Sequence, residues 1–254
     1  MNYYCVVLGL TGKGKTSFIN ALLENYGVNQ KLEGFTTKIT PCKPIYINDD
    51  KYIFIDTPGL DDEDLYEKTV EDLRYQATDK KIRIKAILIC LQINDTRLST
   101  FTRNMLKELM NFFPLNDFWE HVLIIRTFVR KENLKKHGDL EESINEQMGD
   151  FMKEKNIACP KELNKREFFF NSVLEDENGF TTIINTDTDI KEEFTKVLEK
   201  IKSLPPFFKR IEFKRKFTKE QGNYKVTYEE YEYVDFNGKI VIKLIEKNRD
   251  FIVK

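Results

Sequence analysis

The stretch that decides the fold is "GLTGKGKTSF", residues 9–18, which joins the apolar run "YYCVVL" (3–8) to a helical pattern over residues 16–26. It fits the pattern GxxxxGK[ST] of a phosphate-binding loop, or P-loop. Its glycines allow the backbone to curl until N–H groups point inward at phosphates, and the positive end of the following helix faces the same point. We expect Lys15 to reach the outer phosphates and the Thr16 hydroxyl to ligate Mg²⁺.

The prediction extends to the whole loop, because phosphate contacts of this kind come largely from the backbone. Lys13 either adds positive charge to the site or is a solvated side chain, and the sequence leaves both interpretations open. The loop residues expected to bind the nucleotide are Gly9, Thr11, Gly12, Lys13, Gly14, Lys15, Thr16 and Ser17.

A second motif, DxxG, ends the apolar run "KYIFID" (51–56) and consists of Asp56 to Gly59. An acid at such a strand end holds Mg²⁺ in P-loop nucleotide hydrolases, and the Gly59 N–H can contact a γ-phosphate. The same letters also form ordinary turns, so the prediction depends on their place after a strand and a P-loop. Leu60 stands where many GTPases carry the glutamine that orients water, which predicts slow unaided hydrolysis. We interpret "DDEDLYEK" (61–68) as a mobile, solvated stretch.

Between the two motifs, a threonine is expected to close over Mg²⁺ and the γ-phosphate. The segment "EGFTTKIT" (33–40) offers Thr36 and Thr37 for this role. Spacing alone does not choose between them.

Apolar, β-branched runs alternate with amphipathic segments along the first 204 residues, which predicts a mostly parallel, doubly wound α/β sheet. One predicted helix, at 99–113, places Phe101, Met105, Leu109 and Phe112 along a stripe. The other expected strands are 84–91, 121–126 and 166–171, and the other expected helices are 139–155 and 189–204.

The chain changes character after Pro205, so we predict two units, residues 1–204 and an extension over residues 205–254. The extension contains two alternating strands around Asn237-Gly238, the strongest short hairpin signal. A two-residue turn there would pair Tyr233 with Ile242. The basic run 209–216 is either a solvated connector or a contact for acidic lipid.

Composition excludes several classes of function. The chain has 41 basic and 42 acidic residues among 254, so it has no overall attraction to nucleic acid or membranes. Its four cysteines lack metal-ligand spacing, and no apolar stretch approaches the roughly 20 residues of a membrane span. We expect a cytoplasmic protein, with peripheral membrane contact left open.

The motifs resemble those of the AIG-type GTPases, which include plant avirulence-induced proteins, vertebrate immunity-associated nucleotide-binding proteins and, more distantly, the chloroplast Toc import receptors. "GLTGKGKTSFINALL" is similar to the family's "GxTGxGKSSxxNxI", and "FIDTPGL" matches closely. "GFTTK" resembles "GVTxxC", which favours Thr36 as the threonine that closes over Mg²⁺. The most specific piece is "IKAILICLQINDTRLSTFTRNMLKEL" (84–109), which is similar to the family's own box. The resemblance covers about residues 1 to 200 and implies a P-loop G domain.

The base-recognition residues depart from this family. Its usual "FTRKEDL" reads "FVRKENL" here, with Asn133 at the acid's place. An amide oxygen can accept only one of the two guanine hydrogen bonds, so guanine specificity should weaken. Alternatively, the motif begins earlier, at Arg126-Thr127. We expect Thr127, Arg130, Asn133 and Asn171 to bind the nucleotide.

The resemblance also implies dimerisation across the nucleotide sites, with Arg97 acting in trans as an arginine finger. We therefore expect Lys15, Thr36, Gly59 and Arg97 to act in catalysis, and Thr16, Thr36 and Asp56 to hold Mg²⁺. The implied function is a GTPase switch that binds GTP and GDP and forms a homodimer or oligomer when GTP is bound. A nucleotide-binding assembly module with negligible hydrolysis and a P-loop ATPase are the alternatives.

Overall fold

The computed structural model describes residues 2–33, 36–61, 63–78, 82, 84–95, 99–112, 118–128, 167–170, 174–175, 181–182, 190–204, 210–234 and 239–251. The helix predicted over residues 139–155 lies outside these ranges. The helices in the described part of the chain include none that is long and apolar enough to cross a bilayer.

A central sheet of parallel strands organises the first two thirds of the chain. Its strands are β1 (Asn2–Leu8), β2 (Thr40–Pro41), β3 (Ile45–Ile47), β4 (Asp50–Asp56), β5 (Ile84–Gln92), β6 (Val122–Thr127) and β7 (Glu167–Phe169). The parallel strands lie in the order β4–β1–β5–β6–β7, and the short strands β2 and β3 pair antiparallel with β4. The predicted mostly parallel sheet is confirmed.

Helices cover both faces of this sheet. Successive residues of a strand point to opposite sides, so the apolar strands present side chains to a separate core on each face. Val6 contributes to a core on one face, whereas Val7 contributes to a separate core on the other. The first core includes side chains of α2 (Glu63–Thr78) and α3 (Thr100–Phe112), and the second includes side chains of α1 (Lys15–Asn25) and α4 (Ile190–Ser203). A short 3₁₀ helix, Phe118–His121, precedes β6. The strands are therefore buried on both faces, as their continuous apolar runs predicted.

One helix was not predicted, and one helix prediction needs correction. Residues 63–68 of the stretch interpreted as mobile and solvated belong to α2, in which Glu67 and Lys68 are exposed and Leu73 is fully buried. In α3 the buried stripe contains Thr102, Met105 and Leu109, whereas Phe101 is 38% exposed. A position three residues before Met105 lies nearer the centre of that helical face than one four residues before it, which explains the difference.

The C-terminal extension forms a three-stranded antiparallel sheet, β10 (Arg210–Gln221), β11 (Tyr224–Val234) and β12 (Ile240–Phe251), with β11 in the middle. A further two-stranded pair, β8 (Leu174–Glu175) and β9 (Thr181–Thr182), precedes α4. The basic run, predicted to be either a solvated connector or a contact for acidic lipid, lies largely in β10. Lys214 of this strand pairs with Glu212 of β10 and Glu232 of β11, and Arg215 pairs with Glu230 of β11. Acidic neighbours thus balance part of the basic charge, and lipid contact stays a prediction.

The predicted hairpin is present, but its register is wrong by one residue. Tyr233 pairs with Val241 rather than Ile242, and Val234 pairs with Ile240, so the connection spans residues 235–239. The residues of the predicted Asn237-Gly238 turn lie outside the described ranges. A slip of one residue moves a side chain to the opposite face of a sheet. Ile242 accordingly lies on the outer face, 52% exposed.

The inner face of this sheet packs on α2 and α3. Tyr231, Tyr233, Ile211 and Ile245 belong to the same buried core as the apolar side chains of those two helices. Tyr233 is completely buried. The extension is therefore packed against α2, the helix that follows the DxxG motif along the chain.

Candidate nucleotide-binding site

The predicted P-loop connects β1 to α1 at the carboxyl edge of the sheet. Gly14 lies just before α1 with φ 79° and ψ 16°, in the left-handed region that favours glycine. A Cβ atom at Gly14 would also lie 3.2 Å from the Thr127 side chain of β6. A residue with a side chain would therefore be strained at this point, both by its backbone conformation and by the contact with Thr127. The N-terminus of α1, with its free N–H groups, faces the loop.

Lys15 is held inside the loop. Its ammonium donates hydrogen bonds to the carbonyl oxygens of Gly9 at 2.9 Å and Leu10 at 3.0 Å. The side chain is buried, and burial lowers the pKa of Lys15. A desolvated ammonium gains from a nearby anion, so its position suits a phosphate partner.

The three residues predicted to hold Mg²⁺ converge beside the loop. The hydroxyls of Thr16 and Thr36 donate to the same oxygen of Asp56, Oδ2, at 2.9 and 2.7 Å. The two hydroxyl oxygens lie 3.4 Å apart. Thr37, the other candidate, is exposed. The structure thus brings Thr36 to the site although Thr36 and Thr37 are equivalent by spacing alone.

The buried carboxylate of Asp56 is only partly stabilised by hydrogen bonds and nearby charge. It is almost completely buried, and its second oxygen, Oδ1, has no hydrogen-bond partner among the described residues. Burial raises the pKa of Asp56, and the hydroxyls of Thr36 and Thr16 and the charge of Lys15 offset this only in part. A buried carboxylate oxygen without a partner is costly, and a cation would satisfy it.

This donor set fits Mg²⁺ better than a soft metal. The described residues contain no cluster of three His, Cys, Asp or Glu side chains that could hold a metal. Mg²⁺ binds through one or two carboxylates together with substrate phosphates and retained waters. One carboxylate, Asp56, and the hydroxyls of Thr16 and Thr36 agree with that preference.

The DxxG segment folds directly against the P-loop. A Cβ atom on Gly59 would lie 1.9 Å from Thr11 Oγ1 and 2.8 Å from the Thr11 nitrogen, so no other residue fits without a shift. Leu60 turns into the core and is completely buried, and its N–H donates to the carbonyl oxygen of Gly9 at 3.3 Å. Asp61, the first residue of the stretch interpreted as mobile and solvated, accepts hydrogen bonds from the Thr11 N–H and hydroxyl.

Lys13 is an ion-pair partner rather than a solvated side chain. Its ammonium lies 2.7 Å from Asp95 and 3.4 Å from the side-chain oxygen of Gln92. The amide of Gln92 donates in turn to the carbonyl oxygen of Gly12. Sequence reasoning missed Asp95 and Gln92 as loop partners. The available signal was their position at the end of β5, where the carboxyl ends of parallel strands meet.

Arg126 and Thr127, at the end of β6, contact the backbone of the P-loop and of the residues around the end of β5. The Arg126 side chain is completely buried, and its guanidinium donates to the carbonyl oxygens of Gln92 and Asp95. The Thr127 hydroxyl lies 2.9 Å from the carbonyl oxygen of Lys13 and 3.3 Å from that of Leu91. Both side chains therefore support protein backbone, and a direct contact of Thr127 with nucleotide stays a prediction.

Several predicted residues lie outside the described ranges, namely Arg97, Arg130, Asn133 and Asn171. The residue before Asn171 is within these ranges, and the Phe170 N–H donates to the carbonyl oxygen of Arg126 at 2.8 Å. The ends of β6 and β7 thus meet at the same edge of the sheet as the P-loop.

Comparison with known proteins supports this assignment of fold. The model of the 50S ribosome-binding GTPase family matches residues 4–118, a little under half of the chain. No curated protein shows a significant match in sequence. Solved structures of Toc33 are similar in fold. Toc33 from Arabidopsis thaliana in complex with GDP and Mg²⁺ has a TM-score of 0.56 and 15% identity, covering 79% of this chain and 84% of that one.

A dimerization-deficient mutant of the same protein has a TM-score of 0.56, 14% identity and the same coverage. A third structure comes from work on the importance of dimerization for the GTPase activity of the chloroplast translocon components atToc33 and psToc159. It has a TM-score of 0.57 and 15% identity, over 80% of this chain and 84% of that one. The chain has a G-domain fold. The AIG-type subfamily stays a prediction, because sequence identities of 14–15% show only that the folds are similar.

Proposed function

We propose that this protein is a Mg²⁺-dependent GTPase of AIG type that switches between GTP-bound and GDP-bound states. The observation that carries the proposal is the convergence of Thr16, Thr36 and Asp56 beside a P-loop whose Lys15 is buried. The match to a GTPase family model and the fold of Toc33 support the choice of nucleotide.

Each residue of the site has a defined task in this proposal. The backbone N–H groups of residues 11–17 and the ammonium of Lys15 bind the phosphates. Asp56, Thr16 and Thr36 hold Mg²⁺, which when bound neutralises charge on the β- and γ-phosphates. Gly59 brings its backbone close enough to the loop for its N–H to contact the γ-phosphate.

Hydrolysis by one copy alone should be slow, because Leu60 is buried in the core and cannot orient water. We propose that a second copy of the chain supplies Arg97, which follows the Asp95 partner of Lys13 by two residues. An arginine finger increases turnover by about 10³ to 10⁵. Dimerization is important for the GTPase activity of atToc33 and psToc159, which supports a search for this arrangement here.

The second candidate is a nucleotide-binding assembly module with negligible hydrolysis. The burial of Leu60 favours it, because the position of the missing glutamine is closed to solvent. A P-loop ATPase is the third reading, since Asn133 weakens the expected preference for guanine. A cytoplasmic location stays a prediction from the sequence.

Binding and turnover of labelled GTP and ATP, with and without Mg²⁺, separate the three candidates. We expect GTP to bind more tightly with Mg²⁺ and turnover per molecule to rise with protein concentration. Asp56→Asn should abolish the Mg²⁺ effect. Asp49→Asn is the matched control, because Asp49 is an exposed carboxylate at the opposite end of β4.

Three outcomes would contradict the proposal in different ways. Preferential ATP binding would exclude the GTPase and the assembly module together. GTP binding without turnover at high protein concentration would favour the assembly module. Turnover that is independent of concentration, or unchanged in Arg97→Ala, would exclude the trans arginine alone.

A further inference from the structure

Asp61 occupies the hydrogen-bond donors of Thr11 on the face of the P-loop that the DxxG motif covers. Its Oδ1 accepts from the Thr11 N–H at 2.8 Å and from the Thr11 hydroxyl at 2.7 Å. Gly59 lies against both partners of this contact, since a Cβ atom there would meet Thr11 Oγ1, the Thr11 nitrogen and Asp61 Oδ1. The carboxylate is therefore next to the residue that we propose to contact the γ-phosphate.

Chemically, this carboxylate behaves toward the loop as a phosphate oxygen would. Both are anions that accept hydrogen bonds from backbone N–H groups. Partial burial would raise the pKa of Asp61, but the Thr11 donors and the nearby Lys15 outweigh it and lower the pKa, so the group is charged at neutral pH. Two anions beside one set of donors repel each other, and a donor already engaged is not available to a second acceptor.

The rest of the segment allows Asp61 to leave this position. Leu60, the preceding residue, is held in the core, whereas Asp61 is exposed, and within the described part of the chain its side chain accepts two hydrogen bonds, both from Thr11. A rotation of one exposed side chain is enough to free the donors. The diphosphate part of a nucleotide does not require it, because the β-phosphate lies at the N-terminus of α1 in a P-loop.

We propose that Asp61 is a specificity-determining residue that disfavours a nucleoside triphosphate relative to a diphosphate, by holding the donors of Thr11 and repelling the terminal phosphate. The inference rests on the proposed function, since it assumes that the P-loop binds a guanine nucleotide. A triphosphate must displace the carboxylate, and a diphosphate leaves it in place.

The test compares affinities of the full chain for GDP and for a non-hydrolysable GTP analogue in the presence of Mg²⁺. Asp61→Asn removes the charge and should increase affinity for the triphosphate about tenfold, the scale of one charge-assisted hydrogen bond, with GDP affinity changed less than about twofold. Asp61→Ala should act in the same direction. Thr11→Val keeps the N–H but removes the hydroxyl, so it should give a smaller increase. Asp49→Asn should change neither affinity.

Equal shifts for both nucleotides, or no shift for either, would overturn the inference. Thermal unfolding of each variant shows whether a change in affinity merely reflects a loss of folding. Pyrophosphate and tripolyphosphate, titrated in parallel, test Asp61 without a base. If the unmodified chain binds neither GDP nor the analogue, the proposed function fails. A gain for tripolyphosphate alone in Asp61→Asn would then still support the role of Asp61, and its absence would exclude it.

Discussion

Gly14→Ala should destabilise the protein more than Gly27→Ala, although both glycines have a similar positive φ in the left-handed region. Gly14 has φ 79° and Gly27 has φ 67°. Alanine in this region of φ and ψ costs about 1–2 kcal/mol at either position. The difference is the surroundings. No described atom lies within 4 Å of a Cβ on Gly27, whereas one on Gly14 would lie 3.2 Å from both Cβ and Cγ2 of Thr127.

That separation is shorter than an ordinary carbon–carbon contact of about 3.5–4.0 Å. Overpacking of this kind costs about 1–3 kcal/mol. We therefore expect Gly14→Ala to lower the free energy of unfolding by about 1–3 kcal/mol more than Gly27→Ala, or about 2–12 °C in Tm for a chain of this size. Denaturant unfolding of both variants without nucleotide provides the measurement.

A second substitution identifies the contact itself. Thr127→Ser keeps the hydroxyl that lies near the carbonyl oxygen of Lys13 and removes the Cγ2 methyl group. In the double variant with Gly14→Ala, part of the lost stability should return, so the two effects should not add. Equal losses in Gly14→Ala and Gly27→Ala, or strictly additive effects in the double variant, would refute the reasoning.

Three further predictions follow from buried groups. Leu60→Gln should not accelerate GTP turnover, and it should lower the free energy of unfolding by about 1–3 kcal/mol, because the amide would be buried without partners. Faster turnover at unchanged stability would contradict the burial of this residue. Because burial raises the pKa of Asp56 above its ordinary 3.8, the folded state binds more protons, and stability should fall as the pH rises through the raised value. Asp56→Asn should lose this slope in unfolding measured without Mg²⁺, and an identical slope in both proteins would exclude the explanation. Tyr233→Ala should lower the free energy of unfolding by about 3–5 kcal/mol, because the side chain is completely buried. Lys247→Ala, which breaks an exposed ion pair with Glu71, should lower it by less than about 1 kcal/mol. Denaturant unfolding compares the two variants, and a larger loss in Lys247→Ala would show that charge holds the extension on α2.

The strands of the central sheet could be predicted from sequence because strands covered on both faces are almost continuously apolar. β5 is an example, since every residue from Ala86 to Leu91 is apolar and buried. Its burial requires helices on both sides, which is the doubly wound arrangement. The helix α2 was missed because its first residues are largely charged, and its buried side, with Leu73, comes later in the sequence.

The register of the C-terminal hairpin could not be read in the same way. β12 begins "IVIKLI" (240–245), with apolar residues at both odd and even positions, so either register places apolar side chains on the inner face. The packing of Tyr231 and Tyr233 against α2 and α3 decides which register is stable, and this contact is between segments far apart in the chain.

By itself the sequence determined the phosphate loop and the DxxG motif, because each depends on residue types at short, rigid spacings within one turn between a strand and a helix. Only the tertiary structure decided which threonine joins Asp56, that Asp95 pairs with Lys13, and that Asp61 reaches Thr11. These partners are 20, 82 and 50 residues apart in the chain. The sheet brings them together because the carboxyl ends of its parallel strands meet at one edge, and local spacing carries no information about contacts made across that edge.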